Sequence, residues 1–197
     1  MLTEGKKQGA LKSKDWRVET SQDKKVARQF IKDHHYTQSC SNTGVYIHEL
    51  RRKADGQLMG VAQWLPPTKL AAITVNKDNW RRVLSLTRLA IHPDVPKNGA
   101  SFLLGKGIKI IRSIGEWPHL VTYADEWQGH KGSIYKATNW EYVGCTKPSR
   151  RYINSEGKFA ATLSTKTRTK KEMNELGFFL SGEPHVKHKF VLHLGVS

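Results

Sequence analysis

Alternation of apolar and polar positions first appears at residues 16–21, WRVETS, and predicts a strand. Helical spacing follows in SQDKKVARQFIKDHHY, residues 21–36. There Ser21 or Asp23 is the expected N-cap, and Val26, Ala27, Phe30 and Ile31 form the buried stripe. VYIHELRRK and QLMGVAQWL flank Ala54, Asp55 and Gly56, so they read as a hairpin that Pro66 and Pro67 terminate. Residues 68–82 carry weak helical character at best. LSLTRLAIHP, residues 84–93, is the next strand, and FLLGKGIKIIRSIG is a helix burying Leu103, Leu104, Ile108, Ile111 and Ile114. PHLVTYAD is a strand, followed by one short helix and a further strand over 139–144. Beyond Cys145, RRYIN and KFAATLST are β-like, 168–176 is a basic helix candidate, and HVKHKFVLHLGV is a last strand. The order of hairpin, strand, helix, strand, helix, strand implies an α+β fold, a mixed sheet with helices packed on it.

The 197 residues suffice for one substantial core. Residues 1–14 are expected to be a flexible basic arm, 15–197 one domain, and 146–197 a basic, β-rich C-terminal extension of it.

Charge narrows the function. The net charge is +16, with Lys and Arg spread from Lys6 to Lys189, which favours a polyanionic partner, nucleic acid or an anionic membrane surface. No amphipathic anchor or lipidation motif appears, so nucleic acid is the stronger expectation. Cys40 and Cys145 are too few for a disulfide framework or a zinc module. The N-terminus lacks an apolar signal core and no segment is long enough to span a bilayer, so a reducing cytoplasm is the expected location.

Two stretches carry candidate chemistry. In residues 96–101 a glycine-containing loop joins a strand to a helix N-terminus, where free N–H groups and the helix dipole can hold an anion. Lys97, Asn98, Gly99, Ala100 and Ser101 are its candidate binding residues; the plain alternative is an ordinary strand-to-helix connection. In residues 121–144 Asp125 stands where a strand ends and Tyr135 lies on the short helix. Each has a structural alternative, a capping acid and a core tyrosine. Arg88 interrupts an otherwise apolar strand, and a buried guanidinium needs a carboxylate or phosphate partner; Asp125, expected on the neighbouring strand, is one choice.

SIYKATNWEYVG resembles the terminal helix–strand unit of the GNAT acyltransferase superfamily, and LAIHPDVPKNGAS its pyrophosphate-binding strand–loop–helix. That resemblance implies a mostly antiparallel twisted sheet flanked by helices in three layers. It also implies an acetyl-coenzyme A-like ligand in the 96–101 loop, although Pro96 and Ser101 depart from the superfamily pattern.

DHHY, LTRLAIHP and TYADEWQGHKGSIYKATNWEYVG together resemble, more narrowly, the Mom DNA-modification proteins of Mu-like bacteriophages. This resemblance implies conversion of adenine in duplex DNA to the N6-carbamoylmethyl form, which blocks restriction nucleases. It implies catalytic roles for His35, Tyr36, Arg88, Asp125 and Tyr135, with Ser101 also functional. Asp125 would orient N6 and take its proton, Tyr135 would serve the leaving group, Arg88 would fix Asp125 or the donor, and His35 would relay a proton. His35 and Tyr36 have a plainer alternative as a helix C-terminal cap. Tyr36, Tyr123, Trp127 and Trp140 are candidates for a wall that stacks an extruded base. His92, His119 and His130 can approach the site, but no spacing among them signals a metal. The donor stays open, an iron-dependent, radical or aminoacyl step included, as does a homodimer. Two alternatives stand beside this reading: a GNAT N-acetyltransferase acting on a protein, RNA or small amine, and a non-catalytic DNA-binding protein.

Overall fold

The computed structural model describes residues 9–157, 159–160 and 167–195. In chain order the elements are β1 (Trp16–Thr20), α1 (Lys24–His34), β2 (Tyr46–Arg52), β3 (Leu58–Leu65), α2 (Lys69–Ile73), β4 (Val83–Ile91), α3 (Gly99–Ile114) and β5 (His119–Asp125). They continue as α4 (Ser133–Lys136), β6 (Glu141–Cys145), β7 (Tyr152–Ile153), α5 (Lys170–Glu175), β8 (Phe179–Leu180) and β9 (Lys187–His193). Seven strands form one sheet in the order β1-β2-β3-β4-β5-β9-β6. Every neighbouring pair is antiparallel except β4 and β5, whose parallel pairing needs the α3 crossover. β7 and β8 form a separate two-stranded ribbon.

Successive strand residues point to opposite faces, which makes the three layers. Ala62, Leu84 and Leu120 join Leu103, Leu104 and Ile111 of α3 in the largest core cluster. The alternating residues turn the other way: Val61 packs with Ala27, Phe30 and Ile31 of α1, and Val83, Val121 and Val191 pack with Ala72 of α2. The expected mixed, mostly antiparallel sheet between helices is therefore present.

Several boundaries differ, each for a local reason. Asp23, not Ser21, caps α1, accepting from the N–H groups of Lys25 and Val26; Ser21 is buried and its N–H donates to Ile47 O. Val26 and Ile114 fall in terminal turns of their helices and stay 49% and 42% exposed rather than joining the core. α3 begins at Gly99, three residues before its expected start. The strand expected over 139–144, β6, begins only at 141, because Asn139 takes a left-handed turn (φ 63°) and Trp140 N–H returns to Tyr135 O.

The two ends of the chain are more integrated than their composition suggests. Residues 9–14, placed in the free arm, dock: Leu11 is buried in the main core and its N–H donates to Asn98 Oδ1 at 2.6 Å. β9, placed in a C-terminal extension, is an interior strand between β5 and β6. It supplies Phe190 and Val191 to the cores on the two faces. Of KFAATLST, only Phe159 and Ala160 belong to the described residues; the rest lies outside them.

Candidate active site

β4 and β5 hydrogen-bond only at their beginnings, from Val83 and His119 to Ser85 and Val121. Beyond that point the register of β4 against β3 slips, with Gln63 facing Arg88 and Trp64 facing Leu86, so Thr87 is the extra residue of a bulge. A bulge bends its strand and re-aims the neighbouring side chain. Thr87 Oγ1 donates to Gln63 O, while the Thr87 carbonyl, freed from the ladder, accepts from Arg88 Nη1 at 2.7 Å. The two parallel strands diverge, and a cavity of about 690 Å³ opens between them. Its walls come from the end of α1, from β4, from β5 and from residues 128–135; they include His35, Tyr36, Arg88, Asp125 and Tyr135. All five candidate catalytic residues thus line one cavity.

Asp125 ends β5 and is 4% exposed. Its Oδ2 accepts from Tyr36 Oη at 3.0 Å and pairs with Arg151 Nη2 at 2.7 Å, while its Oδ1 is buried and has no partner among the described residues. The capping alternative is set aside, because the 3-10 turn that follows receives no side-chain bond from Asp125. The expected partnership with Arg88 is corrected as well. Arg88 sits on the bulge and spends Nε on Ser39 O at 2.7 Å and Nη1 on Thr87 O. Arg151, from the β-like piece RRYIN after Cys145 to which the sequence assigns no functional role, takes the carboxylate instead. Its main chain is pinned on both sides to buried Ser181, through Arg151 N–H to Ser181 Oγ and Ser181 N–H to Arg151 O. Its guanidinium lies 5.0 Å from the centre of the Phe159 ring. No periodicity points to Arg151, since choosing one cation for one acid is a long-range event.

Burial first, then the charge and hydrogen bond of Asp125, push the Tyr36 phenol up to about 12, so it remains a donor to the carboxylate. His35 is the C-cap of α1, its N–H bonding Ile31 O, and it stacks on Tyr36 at 4.4 Å. Its Nδ1 accepts from Thr37 N–H at 3.2 Å, which leaves the proton on Nε2. Burial, then Arg88 and His130, lower His35 to about 4. Tyr135 packs against Trp140 and Phe190 at 5.8 and 5.1 Å in the main core, yet lines the cavity; burial raises its phenol and the Thr122 hydroxyl partly offsets that.

Of the expected stacking wall, Tyr123 and Tyr36 line the cavity, whereas Trp140 is buried against Trp64 and cannot meet a base. Trp127 stands outside the lining, edge-on to Phe159 at 5.7 Å and His185 at 4.3 Å. His130 reaches the cavity. His92 instead meets His34 at 5.0 Å, and His119 bonds His193 and Asn76 at the opposite end of β5.

The turn at 96–101 is not a nest centred on Gly99. A Cβ at Gly99 would lie 2.1 Å from Val95 Cγ1, so glycine is required there by packing, and Asn98 Oδ1 is taken by Leu11 N–H. Lys97 is exposed, Ala100 lines the main cavity, and the Ser101 hydroxyl donates to Asn98 O. The N–H groups of Ala100 and Ser101 have no partner among the described residues. Ser101 also lines a groove of about 380 Å³ with Lys109 and Arg112. That donor set fits an anionic group laid along α3, reached from its first turn rather than from the loop glycine. Among the described residues no group of three His, Cys, Asp or Glu side chains converges. Nor, among them, is any helix long and apolar enough to cross a membrane.

Two consequences are measurable. Gly132, in the cavity wall, has φ +73°, and a Cβ there would stand 2.2 Å from Phe190 Cζ. Gly132→Ala should cost about 3 kcal/mol, combining overpacking with backbone strain, read as a lowered unfolding midpoint in urea. The second concerns pH. His48 is also lowered to about 4 by burial, its Nδ1 accepting from Trp64 Nε1–H at 3.1 Å. Between pH 6.5 and 4 the unfolded chain binds protons that folded His35 and His48 refuse, so stability falls on acidification through that window. Urea unfolding at pH 7 and pH 5 should show this loss, and His35→Gln should flatten part of it.

The family model of the Mom protein family matches residues 15–189. The chain is 30% identical over 186 residues to the methylcarbamoylase Mom of Escherichia phage Mu, covering 90% of this chain and 73% of that protein. Solved structures similar to it include an N-acetyltransferase from Staphylococcus aureus Mu50, at 13% identity and TM-score 0.54 over 91% of this chain and 99% of that one. The ribosomal-protein-S18-alanine N-acetyltransferase of Escherichia coli matches at 11% identity and TM-score 0.54, over 92% and 96%. The spermidine/spermine N-acetyltransferase SpeG of Vibrio cholerae matches at 9% and 0.54, over 92% and 94%. These structural likenesses show a GNAT-like fold.

Proposed function

The chain belongs to the Mom protein family, and from that membership and the acid-centred cavity we propose that it is a transferase modifying adenine at N6 in duplex DNA to the carbamoylmethyl form. One observation carries the reading: a buried carboxylate held twice on Oδ2, by Tyr36 and Arg151, with Oδ1 unpartnered in a residue that lines the cavity. A buried acceptor left without a donor costs free energy, which an incoming N–H recovers. A +16 protein supplies the polyanion affinity.

The adenine amine is a weak nucleophile, since its lone pair is delocalised into the ring, and in a duplex it is paired. The base must therefore be extruded into the cavity, where Tyr36 and Tyr123 offer aromatic faces. Asp125 Oδ1 accepts N6–H, orients the amine and takes its proton as the new N–C bond forms. Tyr135, a neutral phenol, can donate to the leaving group or to charge developing on the donor. Neutral His35 presents Nε2–H beside Tyr36 as a hydrogen-bond donor in the cavity wall. An anionic donor would be held by the first turn of α3 with Lys109 and Arg112, and it supplies the electrophilic carbon.

Plasmid DNA from cells expressing the chain should resist a panel of nucleases whose sites contain adenine and stay cleavable at sites without it. Unchanged cleavage throughout, with acetylated amines appearing instead, would replace this reading with the acetyltransferase alternative.

A further inference from the structure

On the α1 and α2 face of the sheet, the splay of β4 and β5 opens a second, smaller concavity of about 200 Å³, lined by Tyr36, Thr87, Arg88, Tyr123, Asp125 and Lys187 among others. Lys187 opens β9 directly opposite Asp125 in the ladder. Its ammonium has no ion pair or hydrogen bond among the described residues. The Nη2 group of Arg88 is likewise without a partner, its other donors being spent on the carbonyls of Ser39 and Thr87. Arg151 pairs with Asp125 alongside. Three cations thus crowd one carboxylate, and that carboxylate is already engaged by Arg151.

We propose that Lys187 and Arg88 form the seat for a phosphate of the DNA strand beside the extruded adenine, which fixes the α1 and α2 face as the side from which DNA approaches. The proposal rests on the reading of the chain as a DNA-modifying enzyme and adds to it the residues that hold the backbone. Its chemistry is that of an anion with several acceptor oxygens. The Arg88 Nη2 donors and the Lys187 ammonium can each give hydrogen bonds to a phosphodiester. Desolvation first, and then Arg151, holds the Lys187 ammonium below its ordinary value, and burial lowers Arg88. A bound phosphate relieves both. It would also stand next to the Asp125–Arg151 pair, so that register along the backbone and presentation of N6 are set together. The apolar and α3-facing side of the main cavity, with Leu89, Ile91 and Ala100, is left for the donor.

Wild-type and Lys187→Gln protein are compared for binding to a short adenine-containing duplex, without donor, as a function of salt. Single phosphates flanking the adenine are replaced in turn by uncharged methylphosphonates. The variant should lose about 0.9 from the slope of log K against log salt, the share of one phosphate contact. One methylphosphonate should weaken wild type while leaving the variant unaffected, and Lys187→Arg should restore the wild-type pattern. Equal slopes, or every methylphosphonate weakening both proteins alike, overturns the seat. Unchanged DNA binding together with a raised donor requirement overturns it too, by assigning the anion to the donor. Because these readings are of binding, a wild-type protein that binds in the predicted way yet modifies no adenine refutes the proposed function and spares the seat.

Discussion

Replacing Asp125 by Asn should reduce DNA modification by about 10³-fold, within the range for loss of a positioned general base, while DNA affinity changes by no more than about twofold. The substitution keeps the volume of the side chain and an acceptor oxygen for Tyr36 or Arg151. What it removes is the negative charge and the capacity to take a proton from N6. Asp125 is 4% exposed and its carboxylate is negative, so it makes no attractive contact with a DNA backbone and its loss should not weaken the initial grip. Removing one carboxylate from a strongly cationic surface would, if anything, tighten that grip. Nucleoside analysis and equilibrium binding on the same preparations separate the two effects. Equal loss of binding and modification would point to a collapsed site rather than to a missing base.

Arg151→Ala should be more damaging to the fold. It strips the cation from a buried carboxylate to which it sits at 2.7 Å, with the Asp125 side chain 4% and the Arg151 side chain 23% exposed. Breaking such a pair on one side costs about 3 kcal/mol, most of it the penalty of an uncompensated buried charge. Tyr36 remains as the hydrogen-bond donor to Oδ2, and Lys187 and Arg88, though close by, make no hydrogen bond or ion pair to the carboxylate among the described residues, so neither replaces the guanidinium at 2.7 Å. The informative control is the double variant Arg151→Ala with Asp125→Asn. Once the charge is gone its partner is no longer needed, so stability should return most of the way while activity stays lost. A double variant as unstable as the sum of the single ones would mean that Arg151 acts through packing on Phe159 rather than through the carboxylate.

The same contrast explains what could be read in advance. β2, β3, β4, α3 and β5 follow from local apolar spacing and turn residues, which is information carried within a few residues of each position. Gathering His35, Tyr36, Arg88, Asp125 and Tyr135 at one cavity follows from the order of those elements and from the family resemblance. The unexpected features are all long-range. Arg88 was expected to meet Asp125 because the two strands adjoin, but a single extra residue at Thr87 turned its guanidinium toward main-chain carbonyls. Arg151 and Lys187 come from a stretch with weak periodicity, and its last strand enters the sheet interior between β5 and β6, a placement that no local pattern encodes. Gly99 stood out as a possible anion ligand, yet its missing side chain makes room for Val95. Trp140 stood out as an aromatic near the acid, yet it is core.

Nucleosides from the DNA of cells expressing wild-type chain or Asp125→Asn, resolved by mass spectrometry, test the central claim most directly. A deoxyadenosine heavier by one carbamoylmethyl group should appear with the wild-type protein and be absent with the variant. Its presence at equal levels in both, or its absence from both when the wild-type protein is folded and abundant, would contradict a cavity built around Asp125 for modifying adenine.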